Sequence, residues 1–192
     1  MMTKNYFSIF KRIGRFCLLA ASMLVATSTF AADITTGLVG HYDFEAVAGT
    51  TVPDLTSISG AGTLVGTPVV GTGKTGSAVN FPLVTDYMTL PTDVVSSLTD
   101  FSISAWVNVT TMNTWSRIFD FGTGTSYYMF LTPRASSATG TVRFAFKNGG
   151  TEQVINGKSA LPTGKWVHVA VTFDWDDATA KGVGKLYVLM LQ

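Results

Sequence analysis

Beyond Ala31 the chain alternates between apolar and polar positions in short runs. In Phe101–Val109, the positions Phe101, Ile103, Ala105, Val107 and Val109 form one apolar face and Ser102, Ser104, Trp106 and Asn108 the other. In Trp166–Phe173, Val167, Val169, Val171 and Phe173 lie opposite Trp166, His168, Ala170 and Thr172. A repeat of two is that of a pleated strand with one side on a core. The same pattern, or a short apolar run between turn residues, recurs near Leu38–Glu45, Ser77–Phe81, Tyr87–Leu90, Ser116–Phe121, Tyr127–Thr132, Thr141–Lys147, Glu152–Ile155 and Lys185–Leu189. Arg117 to Arg134 reads as a hairpin, two such arms around the turn Gly122-Thr-Gly-Thr-Ser126. A helical period is sustained nowhere, and only Asp93–Leu98 suits one short turn. Many strands at this spacing predict an all-β fold, a two-sheet antiparallel sandwich or a barrel. Trp106 and His168 make the second faces less polar than open water demands, which predicts a groove or another layer over them.

The first 31 residues change the picture. Met1–Arg15 carries Lys4, Lys11, Arg12 and Arg15 with no acid, Phe16–Ala26 is apolar, and Thr29-Phe30-Ala31 has small residues where a signal peptidase reads. An export signal cut between Ala31 and Ala32 is expected, because about eleven apolar residues are too few to cross a bilayer. The chain that remains, residues 32–192, holds nine basic and twelve acidic residues, a net charge near −3. Such a chain lacks the basic surface that nucleic acid requires. The one cysteine, Cys17, lies in the signal, so the exported chain has neither disulfide nor thiolate metal site. Charged residues make up 13% of the sequence against about 25% in ordinary globular proteins. With 46% apolar residues in regular runs, the composition fits one folded, exported β domain.

Most catalytic readings fail on spacing. Gly71-Thr-Gly-Lys-Thr-Gly76 lacks the upstream glycine and the following helix of a phosphate-binding loop. Glycan hydrolysis needs two carboxylates facing each other across a cleft, and no strand carries a Glu-x-Asp-x-Glu run. His41 and His168 have no neighbouring ligand to make a metal pair, and Asp174, Asp176 and Asp177 read as a solvated turn. Calcium is the cofactor the loops best suit, with Glu45, Asp54 and the Ser57–Gly62 loop as oxygen donors. Binding rests on aromatics. Sugar rings present apolar C–H faces to Trp and Tyr while their hydroxyls need fixed polar partners, and Trp115, Tyr127, Tyr128, Arg134 and Trp175 lie at strand ends or turns.

Five stretches in order resemble the LamG-like (laminin G-like) domains of the concanavalin A-like lectin/glucanase superfamily. They are Gly37-Leu-Val-Gly-His-Tyr-Asp-Phe44, Val52-Pro-Asp54, Gly76-Ser-Ala-Val-Asn-Phe81, Phe101-Ser-Ile-Ser-Ala-Trp-Val107 and Leu161-Pro-Thr-Gly-Lys-Trp-Val-His-Val-Ala-Val171. The resemblance implies a jelly-roll sandwich that binds a polysaccharide or other glycan, or alternatively a surface protein, often with a structural calcium. It implies that the Trp166–Val171 strand is framework. Asp54 matches the family's loop acid, whereas Leu55–Gly62 departs from the loop pattern. Family members continue past a Leu-Tyr-Val strand into Asn-Gly and closing strands, while here Leu186-Tyr-Val188 runs into Leu-Met-Leu-Gln. The expectation is therefore a sandwich lacking its last strands, poorly soluble or in need of a partner.

Overall fold

The computed structural model describes residues 7–11, 35–136 and 139–190. Its strands, in chain order, are β1 (Phe7–Lys11), β2 (Leu38–Tyr42), β3 (Thr51–Val52), β4 (Gly62–Val65), β5 (Val69–Thr72), β6 (Ser77–Asn80), β7 (Tyr87–Thr89), β8 (Phe101–Asn108), β9 (Phe119–Thr123), β10 (Tyr127–Thr132), β11 (Arg143–Asn148), β12 (Gln153–Asn156), β13 (Trp166–Asp176) and β14 (Lys181–Met190). A five-stranded sheet runs β14-β13-β8-β1-β2 and a four-stranded sheet β12-β11-β10-β9, with smaller sheets β3-β4-β7 and β5-β6. All the strand pairs are antiparallel. This is the expected all-β sandwich.

The alternation read in β8 and β13 sets the inner face. Their register places Ile103 level with Val171, Ala105 with Val169 and Val107 with Val167. Ile103, Val167, Val169 and Val171 are essentially solvent-free, and they share one core with Phe119, Met129, Leu131 and Phe144 of the four-stranded sheet. Each such side chain stabilises the fold by roughly 1.5–3 kcal/mol relative to exposure, so this layer is the main source of cohesion. Phe146 crosses from one sheet to meet Phe173 of the other at 5.4 Å between ring centroids, and Phe173 stacks on Phe101 at 5.5 Å. On the other face of the five-stranded sheet, Trp106 lies 5.2 Å from His168. The turn between β5 and β6 brings Lys74 Nζ to 5.8 Å from the Trp106 ring, the partial covering that the low polarity of this face predicted. Burial pushes the His168 imidazole below its ordinary pKa.

Asp93–Leu98 takes the short turn conformation read for it: Asp93 sits at φ 68° and the bonds run Ser96 N to Asp93 O and Leu98 N to Val95 O. Val94, Val95 and Leu98 are spent against the core. The strands β3, β4 and β5 span two to four residues, too short to display a period. At the other extreme, β14 begins at Lys181, four residues before the expected start at Lys185. A Cβ at Gly182 would fall 2.2 Å from Phe173 Cζ, so only glycine leaves room for that ring. β1 lies in the segment read as an export signal. The rest of that segment, including Cys17 and the expected Ala31/Ala32 cut, lies outside the described residues, as do the last two residues. Among the described residues, no helix is long and apolar enough to cross a membrane.

Candidate functional site

The β9–β10 hairpin forms because Gly122 and Gly124 take φ values of 146° and 64° between two apolar arms. It presents Tyr127 at the rim, 55% exposed, with the ring packed over Gly149, where an added Cβ would meet Tyr127 Oη at 3.2 Å. Facing it is the Tyr87–Leu98 segment. The two enclose an open cleft of about 930 Å³, whose wall includes Tyr87, Asp93, Asp120, Thr123, Tyr127 and Asn148 and whose floor reaches Phe101, Met129 and Phe146. Tyr87 is 51% exposed. Asp120 accepts a 2.9 Å hydrogen bond from Arg117 Nε. Two accessible tyrosines beside carboxylate and amide groups form a surface able to stack on an apolar ring face while holding hydroxyls in place.

The five residues expected to bind sugar fall in three places. Tyr127 and Tyr128 line the cleft. The Tyr128 hydroxyl donates to Glu152 Oε2 at 2.5 Å, and that bond, with burial, raises its pKa. Trp115 and Arg134 sit together away from the cleft. The Trp115 N–H donates to the Arg134 carbonyl, and the Arg134 guanidinium donates to the Met112 carbonyl at 2.8 Å. Trp115 packs edge-on against Phe130, whose ring is covered by Arg117 at 3.9 Å. Trp175 belongs to the β13–β14 hairpin, its indole N–H donating to Asp177 and its backbone N–H to Asp100. In the same turn, Asp176 is held below the usual carboxylate range by Thr179 and Ala178. Tyr87, Asp93, Asp120, Thr123 and Asn148 were not singled out from sequence. Asp120, Thr123 and Asn148 reach Tyr127 through the β9–β10–β11 ladder, whereas Tyr87 and Asp93 reach it only because a segment 30–40 residues upstream folds across the sheet.

Glu45 and Asp54, the expected calcium donors, are engaged in protein hydrogen bonds. Asp54 accepts from the His41, Thr56, Ser59 and Gly60 backbone N–H groups and from the Thr56 hydroxyl. Burial opposes its ionisation, but the donors from Thr56, His41 and Ser59 outweigh it and hold the carboxyl below its ordinary pKa. Glu45 accepts from the Ser77 N–H and hydroxyl, tying the end of β2 to β6. Calcium takes a shell of oxygen acceptors. The shell around Asp54 is made of N–H and O–H donors, so these residues do not fit that ion as they stand, and no group of three or more His, Cys, Asp or Glu is placed to hold a metal among the described residues. Adding millimolar calcium, or chelating it, is therefore expected to leave the melting temperature within about 1 °C. A rise of several degrees with calcium, by ligand linkage, would show a site formed elsewhere.

Comparison with solved structures finds the same architecture in domains of other proteins. Domain 4 of AbnA, a GH43 extracellular arabinanase from Geobacillus stearothermophilus solved with arabinotriose, aligns at a TM-score of 0.61 and 24% identity, covering 78% of this chain and 70% of that one. An S-layer domain-containing protein from Clostridium thermocellum aligns at a TM-score of 0.53 and 30% identity, over 78% of this chain and 67% of the other. A comparison with curated proteins gives no significant match. The Laminin_G_3 family model matches residues 83–188. That span takes in the inner strands β8 to β13 and the cleft, and the chain accordingly belongs to the Laminin_G_3 family of the Concanavalin A-like lectin/glucanases superfamily.

Proposed function

We propose that the chain is a non-catalytic, exported carbohydrate-binding accessory module whose glycan lies in the cleft beside Tyr127. The observation that carries this reading is the pairing of exposed Tyr87 and Tyr127 with Asp93, Asp120 and Asn148 around one open groove. Support also comes from the arabinanase domain, whose structure holds arabinotriose. Export is supported by the leader-like first 31 residues and by the extracellular enzyme in which that neighbour occurs. Trp115, Arg134 and Trp175 serve as framework in this reading.

Calorimetric titration of the full chain with arabino-oligosaccharides and a panel of soluble polysaccharides tests it. Binding of at least one glycan is expected, and Tyr127→Ala is expected to weaken it about tenfold, the equivalent of roughly 1.4 kcal/mol of lost stacking. No binding across the panel would overturn the glycan reading, and release of reducing ends would overturn the non-catalytic one. A second reading, docking to a surface protein, is favoured by β14. This edge strand leaves Val183, Tyr187, Leu189 and Met190 exposed, and a neighbour of the fold is an S-layer domain-containing protein.

A further inference from the structure

The five-stranded sheet is continuous only because of Phe7–Lys11. β1 is antiparallel to β2 on one side and to β8 on the other. β2 and β8 thus run parallel to each other, two ladder spacings or about 9.5 Å apart, and do not pair. Among the described residues, no other strand pairs with either facing edge. The segment that joins them here is followed by more than twenty residues before β2 begins. The cut expected between Ala31 and Ala32 falls within that connection, and would leave β1 held by pairing alone.

We infer that the gap between Leu38–Tyr42 and Phe101–Asn108 is an acceptor site for a single extended polypeptide segment, filled by Phe7–Lys11 in the intact chain and able to take the same segment in trans. The geometry of the walls supports this. Ser8 is level with His41 on one side and Ser104 on the other, and is 1% exposed. Ile9 is level with Gly40 and Ile103. The slot therefore asks for a small polar residue at the Ser8 level, next to a position where one wall is glycine. Backbone hydrogen bonds on both sides supply affinity, and these alternate positions supply selectivity, the logic of strand addition. The inference stands apart from the glycan reading, because among the described residues the cleft is walled by other elements than β1 and β2.

The full chain provides the test. Ile9→Pro removes a backbone donor from the middle of β1, and hydrogen exchange is followed at 38–42 and 101–104, with 143–148 in the opposing sheet as reference. Exchange in the two facing strands is expected to speed at least about tenfold while the reference holds, and a synthetic peptide of residues 5–13 is expected to restore protection where a scrambled peptide does not. Unchanged exchange in the facing strands, or no rescue by the peptide, overturns the inference. If Ile9→Pro unfolds the whole chain, the reference loses protection too, and a cross-link decides. Ser8→Cys with Ser104→Cys, in a Cys17→Ser chain, joins Cα partners at a spacing a disulfide spans, and near-complete oxidation is expected. Cross-linking no more complete than that of Ser8→Cys with Ser77→Cys overturns it.

Discussion

Replacing Gly122 by alanine is expected to destabilise the domain by at least about 3 kcal/mol, lowering the melting temperature by roughly 6–12 °C in a chain of this size. The cause is a backbone collision. Gly122 holds φ 146°, and a Cβ there would lie 2.2 Å from the Tyr127 carbonyl oxygen and 2.6 Å from Tyr128 Cα. Both atoms belong to the paired strand β10, with Gly122 directly opposite Tyr128, so no side-chain rotation relieves the overlap. The strands must separate, and Tyr127 moves with them out of the cleft wall. Gly124 supplies the control: its φ is 64° but nothing lies within 4 Å of an added Cβ. Alanine there costs only the left-handed backbone penalty, about 1 kcal/mol. Thermal melts of the two variants check the argument, and equal losses would refute the collision account.

Asp54→Ala is expected to cost about 3 kcal/mol, because it strips the acceptor from a loop organised around it. Five hydrogen bonds converge on that carboxylate, and bonds to a charged acceptor contribute roughly 1.5–3 kcal/mol each before water re-solvates the freed donors. The Tyr42 hydroxyl donates to the Gly60 carbonyl in the same loop at 2.8 Å. Burial, and secondarily the Asp54 charge, push its pKa up to about 12, so the phenol stays a donor at any working pH. The acid response has a definite sign. Because the Asp54 carboxyl is depressed in the folded state, its stabilisation is full above the unfolded value, about 3.9, and is lost as pH falls through the folded pKa. Urea midpoints at pH 7 and pH 3 should therefore converge in Asp54→Ala relative to the parent chain. A variant that keeps the parent's full acid sensitivity would show that the loss arises elsewhere.

The fold was legible wherever a strand was long enough to show a period with one face in the core. Phe101–Asn108 and Trp166–Asp176 are such strands, and both the inner residues and the half-covered outer pair Trp106 and His168 follow from their alternation. Tyr127–Thr132 was bounded correctly as well, since turn chemistry flanks it. The short strands β3, β4 and β5 left no such trace, although β6, β7 and β12, no longer, were marked out by the turn residues around them. Gly182 disguised the start of β14 because the reason for a glycine there is the Phe173 ring nine residues back, across the β13–β14 turn.

Sequence by itself determined the fold class and the family and placed Tyr127 among five candidates at strand ends or turns, because strand periodicity, turn residues and local order are properties of neighbours in the chain. Tertiary structure alone decided the composition of the site. The β9–β10–β11 ladder sets Asn148 level with Tyr127 and brings Asp120 alongside, and only the crossing of the Tyr87–Leu98 segment adds Tyr87 and Asp93 to the same cleft, while Trp115, Arg134 and Trp175 are engaged at other corners of the sandwich. It also decided that Asp54 faces hydrogen-bond donors and that Phe7–Lys11 bridges two strands that do not otherwise meet. The physical reason is the same in each case. These arrangements are set by which distant backbones pair, and chain separation carries no local signal of that.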